Sequence, residues 1–194
     1  MPPAAPRMTR QRHEGGGGRR LFFALWPGAA VGKRLCALQR WLPSRRPARL
    51  AAAADLHLTL LFLGRIPPEA ESGVCAGAGA AAPAVAPFAL TLDRLGYWPR
   101  PRILWLAPSS PPAPLLELAE RLRRAAADCG LATETRPYAP HVTLCRWGAA
   151  PRNPPEVVPV RWRARSFVLA ASEPQGGARY RILRSWKLAP GDAP

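Results

Sequence analysis

Two nearly identical tetrapeptides are the feature of this sequence that most restricts its fold. HLTL at 57–60 recurs as HVTL at 141–144, 84 residues later. In a β-strand, side chains alternate between two faces, so the histidine and threonine of each copy share one face and the aliphatic residues share the other. The repeat therefore predicts two strands, each anchored in a core on one side and presenting an imidazole and a hydroxyl on the other.

Short strand-like segments alternate with helical ones along the rest of the chain. The pattern predicts helices at 27–42, 67–82 and 114–129, and the third carries the clearest apolar stripe, with Leu115, Leu118 and Leu122 at helical spacing. Strands are predicted at 20–26, 56–63, 88–95, 102–107, 141–147, 157–169 and 178–188, with Gly64 closing the second. The order has no strict βαβ rhythm, so we expect an α+β fold with antiparallel sheets.

Composition divides the chain into one folded domain and two short ends. Residues 1–18 include four consecutive glycines and few side chains to bury, which predicts a disordered extension. We expect the folded domain over 19–188 and a flexible tail over 189–194. The four cysteines form no CxxC pair, which argues against a structural zinc site and favours reduced thiols in the cytoplasm. No run of about 18 apolar residues is present, so no membrane-spanning helix is predicted.

The chain is strongly basic. Its 28 Lys and Arg residues outnumber 12 Asp and Glu residues, for a net charge of +16. A surplus of this size favours a polyanionic partner such as nucleic acid or an anionic membrane surface. The alternative is that a composition rich in Arg, Ala and Pro carries this charge at tolerant surface positions, without any partner.

The two strands that carry the repeated motif, facing each other across a pseudo-twofold axis, would surround one small anion with two imidazoles and two hydroxyls. One neutral imidazole can accept a proton from an attacking oxygen while the other, as imidazolium, donates one to a leaving oxygen. The hydroxyls of Thr59 and Thr143 can hydrogen-bond non-bridging phosphate oxygens. This set suits phosphoester chemistry, and no HxxxH, HExxH or carboxylate cluster predicts a metal site.

A single HxT on a strand is more typical of a half-buried structural histidine. His57 and His141, however, are the only histidines outside the predicted extension, and both occupy the repeat. Coincidence is therefore the weaker explanation for the pattern.

These residues resemble a known family, the 2H phosphoesterases, and within it the RNA 2′,3′-cyclic phosphodiesterase (2′-5′ RNA ligase) branch. The resemblance rests on RLFFALWP at 20–27, DLHLTLLFLG at 55–64, RILWLA at 102–107 and RPYAPHVTLCR at 136–146, and it covers nearly all of 20–188. It implies a bilobal α+β fold with two antiparallel sheets, outer helices, a pseudo-twofold axis and an active site in the central cleft.

The resemblance also implies an activity: hydrolysis of a terminal 2′,3′-cyclic phosphate on RNA to a 2′-phosphomonoester, without a metal or other cofactor. By the family's convention His57 is the proton donor and His141 the proton acceptor, although the two nearly equivalent motifs do not distinguish these roles. Some relatives catalyse the reverse reaction and join RNA ends through a 2′-5′ bond. The expected partner is RNA with a cyclic phosphate end, bound by a monomer.

Residues near the motifs are further candidates for the site. Arg146 follows the second motif, where relatives carry an arginine near the phosphate, but strand alternation places it opposite His141 unless the strand ends or bulges there. Candidates for phosphate contact or base stacking are Arg136, Tyr138, Trp26 and Trp98. The alternatives are a solvated surface position for Arg146 and core packing for each aromatic side chain.

Two other functions fit the same residues. The fold could act on a small cyclic nucleotide phosphate or an ADP-ribose cyclic phosphate, which activity on mononucleotides with little salt dependence would indicate. The chain could also be a non-catalytic RNA-binding protein, which explains the charge but leaves the repeated motif without a purpose. RNA binding that survives loss of both imidazoles, without turnover, would indicate this last function.

Overall fold

The computed structural model describes residues 18–40, 42, 48–134, 136–147, 156–173 and 179–189. The predicted extension over 1–18 and tail over 189–194 lie outside these residues, apart from Gly18 and Ala189. Within the described residues, the helices are α1 (Ala29–Gln39), α2 (Pro68–Ala81) and α3 (Ala113–Asp128), and a 3₁₀ turn spans Ala53–Asp55. None of these helices is long and apolar enough to cross a membrane.

The strands in the same residues number ten. They are β1 (Arg19–Leu25), β2 (Arg49–Leu50), β3 (Leu58–Ile66), β4 (Phe88–Leu92), β5 (Arg94–Trp98), β6 (Ile103–Ala107), β7 (Val142–Arg146), β8 (Val160–Ala164), β9 (Ser166–Ser172) and β10 (Tyr180–Lys187).

Eight of the described strands form one antiparallel sheet in the order β10-β9-β1-β3-β7-β6-β5, with β2 also pairing to β7. The other two, β4 and β8, form a second antiparallel sheet. The predicted α+β class with two antiparallel sheets is confirmed. We call β10, β9, β1 and β3 lobe 1, and we call β7, β6, β5 and β2 lobe 2.

The two lobes meet where the two motif strands touch. Among the described residues, β3 and β7 pair only at Leu58 and Val142. An antiparallel pair has a local twofold axis between its partners, so the histidine of each motif lies across from the threonine of the other. Leu58 and Val142 are fully buried, whereas both histidines and both threonines are half-buried. The alternation predicted from the sequence is therefore present in both strands.

The main core lies on the sheet face opposite the histidines, and the helices cover it. Helix α3 buries Leu115, Leu118 and Leu122 completely, as its apolar stripe predicts. Burial of each such leucine contributes about 1.5–3 kcal/mol. Helix α2, weak by intrinsic propensity, packs so closely on α3 that a Cβ on Gly77 would lie 2.5 Å from the Cβ of Ala125. Tertiary packing therefore stabilises α2.

Two predicted strands are each divided between the two sheets. The segment 88–95 begins in the small sheet as β4, which ends at Leu92, and continues from Arg94 as β5 of the large sheet. The segment 157–169 divides in the same way at Arg165, between β8 and β9. Each switch is a single residue, Asp93 or Arg165, and neither is a glycine or a proline, so the sequence pattern does not reveal them.

The prediction that Gly64 closes a strand is wrong. Strand β3 continues to Ile66, and Gly64 has a φ of 75° at a register shift in the pairing with β1. Glycine adopts this left-handed conformation without steric cost, so the strand bends at a bulge and does not end. The sequence pattern also does not predict β2, because two residues show no period.

Candidate active site

The same local geometry holds both histidines. Nδ1 of His57 donates a hydrogen bond to the main-chain oxygen of Asp55 (2.7 Å), and Nδ1 of His141 donates to that of Ala139 (2.9 Å). A carbonyl oxygen only accepts, so each neutral imidazole carries its proton on Nδ1 and has a lone pair on Nε2. When the ring is protonated, Nε2 becomes a donor. Each histidine can therefore act as a base or an acid through its Nε2 atom.

Burial lowers the pKa of both histidines from 6.5 to about 4. The hydrogen bond to the carbonyl opposes this shift in each case, and the positive charge of Arg146 adds to it at both rings. The charge of His141 lowers the pKa of His57 further. In the free protein at pH 7, both imidazoles are therefore neutral.

Aromatic side chains of lobe 1 and its adjoining loop surround His57. Trp26 stacks on the imidazole, with ring centroids 5.2 Å apart and 12° between the planes. Phe22 and Tyr180 each lie 4.9 Å from it, centroid to centroid, and Tyr180 meets it edge-on. These three rings exclude water from His57, which is the physical cause of its lowered pKa.

A second aromatic cluster lies against His141 in lobe 2. Trp98 meets the imidazole edge-on, with centroids 4.6 Å apart, and lies 5.2 Å from Trp105. Trp105 pairs across the sheet with Thr143 on one side and with Gly96 on the other. Its indole packs flat over Gly96, where a Cβ would lie 2.1 Å from the ring. Each histidine therefore has its own aromatic neighbours on the active-site face.

A β-bulge in β7 brings Arg146 to the side of the sheet that carries the histidines. Strand β7 pairs with β6 at Thr143 and again at Cys145, but β6 advances by only one residue between these positions, so Leu144 is the extra residue. A bulge of this kind reverses the alternation beyond it, and Arg146 joins the face of Thr143. The bulge meets the condition under which the sequence places Arg146 at the site.

Helix α1 holds this bulge through Gln39. The Gln39 side chain is buried, and its Nε2 donates to the main-chain oxygens of Leu144 and Ala51, at 2.9 Å each. The main-chain nitrogen of Ala51 also donates to the Leu144 oxygen. Sequence reasoning missed Gln39, although a polar residue one helical turn after the buried Leu35 was a usable signal. It also missed the ring neighbours of the histidines other than the tryptophans at 26 and 98, because strand pairing, not sequence, brings them together.

The remaining predicted candidates make other contacts. The Tyr138 hydroxyl donates to the main-chain oxygen of Thr59 (2.8 Å), which ties the loop before β7 to β3, and burial raises the pKa of this tyrosine. Nε of Arg136 donates to a carboxylate oxygen of Glu134 (3.0 Å). One face of Trp26 is covered by the His57 ring. Two imidazoles, two hydroxyls and one guanidinium thus converge at the joint between the lobes, an arrangement that suits a phosphate group.

The comparison with known proteins supports this interpretation. The family model described as the 2′-5′ RNA ligase superfamily matches residues 27–170. This chain belongs to that superfamily. The family predicted from the sequence is confirmed.

Relatives in this superfamily resemble the chain over most of its length. The RNA 2′,3′-cyclic phosphodiesterase of Escherichia coli (strain K12) is 37% identical over 175 residues, which cover 88% of this chain and 97% of the relative. The protein of the same name from Thermus thermophilus is 34% identical over 182 residues, covering 87% and 90%. The crystal structure of E. coli LigT complexed with 3′-AMP superposes with a TM-score of 0.80 at 36% identity, covering 88% of this chain and 98% of that one.

Proposed function

We propose that this protein hydrolyses the terminal 2′,3′-cyclic phosphate of RNA to a 2′-phosphomonoester. The observation that carries the proposal is the symmetric joint between the lobes, where both histidines present Nε2 on the face shared with two threonine hydroxyls. The E. coli and T. thermophilus relatives are named for this activity, and this chain matches them over nearly their whole length. We also propose that the protein is a monomer and that it is cytoplasmic, a location in keeping with its four free cysteines.

The reaction needs the two histidines in opposite protonation states. His141, neutral, accepts a proton from water as its oxygen attacks phosphorus, and His57, protonated, donates its Nε2 proton to O3′ of the ribose as the P–O3′ bond breaks. The hydroxyls of Thr59 and Thr143 donate to the non-bridging phosphate oxygens. The Arg146 guanidinium stabilises the negative charge that these oxygens carry. No step in this scheme uses a metal or another cofactor.

Because the pKa values of both histidines are lowered in the free protein, the bound substrate must help to set their protonation states. Since both imidazoles are neutral at pH 7 in the free protein, His57 must gain its proton as the RNA end binds. The negative charge of the bound phosphate favours the imidazolium form, whereas Arg146 opposes it. Neutralisation of Arg146 by the phosphate removes that opposition, so binding raises the pKa of the acid.

A small nucleotide phosphate is the second candidate substrate. The observation that favours it is the solved complex of E. coli LigT with 3′-AMP, a mononucleotide. The net charge of +16 favours RNA, because a longer polyanion gains more from a basic surface. Turnover of an oligonucleotide that falls with salt more steeply than turnover of a cyclic mononucleotide supports RNA as the substrate.

The decisive experiment uses a short oligonucleotide ending in a 2′,3′-cyclic phosphate, in excess chelator, with the position of the product phosphate identified. We expect a 2′-phosphate, and losses of about 10²–10⁴-fold in His57→Ala and His141→Ala. The double variant loses little more than the worse single one, because the two groups act as a unit. The matched control is His13→Ala, which removes the third histidine of the chain, outside both motifs.

Three results would contradict the proposal. Near-normal turnover in either motif variant excludes the two-histidine mechanism. A rate that is lost in chelator and restored by a divalent ion indicates that a metal-activated hydroxide is the nucleophile. RNA binding without any turnover in the wild type indicates a binding protein.

A further inference from the structure

The short strand β2 places a second arginine beside Arg146. Arg49 of β2 is the antiparallel partner of Arg146 in β7. Directly opposite residues of an antiparallel pair project to the same side of the sheet, so Arg49 leaves its strand on the side that carries the histidines. The lobe 2 side of the candidate site therefore has two arginines, of which the mechanism uses only one.

These two arginines lack a counter-charge from the protein. Like charges directly opposite each other in a sheet are destabilising. Among the residues that the structure describes, neither guanidinium forms an ion pair with a carboxylate. An anion bound at each arginine removes this repulsion, so the pair is suited to a ligand with more than one negative charge.

Trp147 gives the second arginine an aromatic neighbour. Cζ of Arg49 lies over the Trp147 ring, 4.9 Å from its centroid. Trp147 follows the last residue of β7 with a φ of 53°, a left-handed conformation that costs a bulky residue about 1–3 kcal/mol, and it is still 41% exposed. A partly exposed indole beside an unpaired cation is the combination that holds single-stranded nucleic acid, by stacking a base and binding its phosphate.

The order of the strands places this pair outward from the reaction centre. β6 occupies one edge of β7, whereas β3 and β2 share the other. On that shared edge, β3 pairs at Val142, in the joint between the lobes, and β2 pairs four residues further along, at Arg146. Four residues of a strand span roughly 13 Å. The Arg49–Trp147 pair therefore lies beside the site of the cyclic phosphate and further from the joint.

The chemistry of the substrate indicates what occupies this position, on the basis of the proposed function. A 2′,3′-cyclic phosphate ends its RNA chain, so the chain continues from the terminal nucleotide in one direction only, through the 5′ oxygen. The next negative charge is the phosphodiester to the preceding nucleotide, and the next base belongs to that nucleotide. A cyclic mononucleotide has neither of these groups.

We propose that Arg49 and Trp147 form a subsite for the nucleotide that precedes the terminal one. The guanidinium of Arg49 donates hydrogen bonds to the phosphodiester between the two nucleotides, and the Trp147 ring stacks on the preceding base. The subsite makes the enzyme select the end of an RNA chain over a free cyclic mononucleotide.

The test compares two substrates that differ in length. We measure kcat/KM for adenosine 2′,3′-cyclic phosphate and for the dinucleotide of two adenosines with the same cyclic end. Arg49→Ala should lower the ratio of dinucleotide to mononucleotide kcat/KM by roughly 10-fold, the loss of one charged hydrogen-bond contact. Trp147→Ala should lower it by roughly 5–100-fold, the loss of one base stack. Arg49→Lys, which keeps the charge without the planar fork, should fall between Arg49→Ala and the wild type.

A second measurement tests the phosphate contact through the substrate. A dinucleotide with an uncharged methylphosphonate linkage should be used roughly 10-fold less well than the natural one by the wild type, and about equally well by Arg49→Ala. For the natural dinucleotide, the slope of log kcat/KM against log salt concentration should be shallower by about 0.7 in Arg49→Ala, which corresponds to one phosphate contact on a single strand.

The matched control is Arg163→Ala, which removes an equal charge from an exposed position on β8, in the small sheet. It should leave the ratio of the two substrates unchanged. A wild-type ratio in either Arg49→Ala or Trp147→Ala overturns the inference. So does an equal loss on both substrates in Arg49→Ala, because Arg49 would then contact the cyclic phosphate itself.

The outcome also separates this inference from the proposed function. A wild-type protein that hydrolyses the mononucleotide and both dinucleotides equally well overturns the inference and leaves the cyclic phosphodiesterase standing. A wild-type protein that opens none of these cyclic phosphates overturns both.

Discussion

The two motif histidines should make the stability of this protein depend on pH in a defined window. Burial lowers the pKa of each to about 4 in the folded state, and the unfolded chain has the ordinary value of 6.5. Between these values the unfolded state binds more protons, so the free energy of unfolding falls as the pH falls. The contribution is fully present above pH 6.5 and is lost by about pH 4.

The size of the effect follows from the two pKa values. One pKa unit corresponds to about 1.4 kcal/mol, so lowering the pKa from 6.5 to about 4 gives about 3.5 kcal/mol for each histidine. The pair therefore accounts for roughly 7 kcal/mol, which is comparable with the whole stability of many domains. We expect the protein to become marginal between pH 5 and pH 4.

Urea unfolding at several pH values from 7.5 to 4.5 measures this dependence. His57→Asn and His141→Asn each keep a side-chain donor near the position of Nδ1 but do not titrate, so each should remove about half of the loss, and the double variant most of it. His13→Asn is the control and should keep the full loss. The pKa of Glu120 is lowered from 4.5 to about 2 by hydrogen bonds from Arg123 and Arg124, so this carboxyl affects stability below pH 4.5, outside the pH range of the measurement. Equal pH dependence in the wild type and the double variant would refute the argument.

Three further predictions concern the surroundings of the site. Thr59→Val and Thr143→Val should each lower turnover by roughly 10–10³-fold with little change in Tm, because each removes a hydrogen-bond donor to the transition state. A fall in Tm with normal turnover would show that these threonines are structural. Gln39→Met removes one of the hydrogen-bond donors to the buried main-chain oxygen of Leu144, so we expect the free energy of unfolding in urea to fall by about 1–3 kcal/mol. We also expect a lower kcat, because the bulge that positions Arg146 is displaced. An unchanged kcat would show that the bulge does not affect the reaction. Gly96→Ala places a Cβ inside the Trp105 indole and should lower the free energy of unfolding by about 1–3 kcal/mol. The control, Gly32→Ala on α1, adds a Cβ in open space and should not lower it. Equal stability of the two variants would contradict the packing described.

The sequence alone determined the elements that carry the candidate site. The face shared by His57 and Thr59, and by His141 and Thr143, follows from strand alternation, which is a property of the chain itself. The apolar stripe of α3 follows from helical spacing in the same way. The repeated motif with its flanking segments was also sufficient to identify the superfamily, because those residues lie in the sequence whether or not it is folded.

The tertiary structure decided how these elements are completed. The extra residue in β7 exists only relative to β6, so the side of the sheet on which Arg146 lies depends on a strand that the local pattern does not contain. The Leu58–Val142 joint and the Gln39 hydrogen bonds likewise connect segments far apart in the chain. The histidine pKa values depend on which rings displace water, and Tyr180 reaches His57 only through the order of the strands. Local periodicity fixes which way a side chain points from its own strand, whereas its neighbours, and hence its chemistry, depend on contacts that form only when the lobes come together.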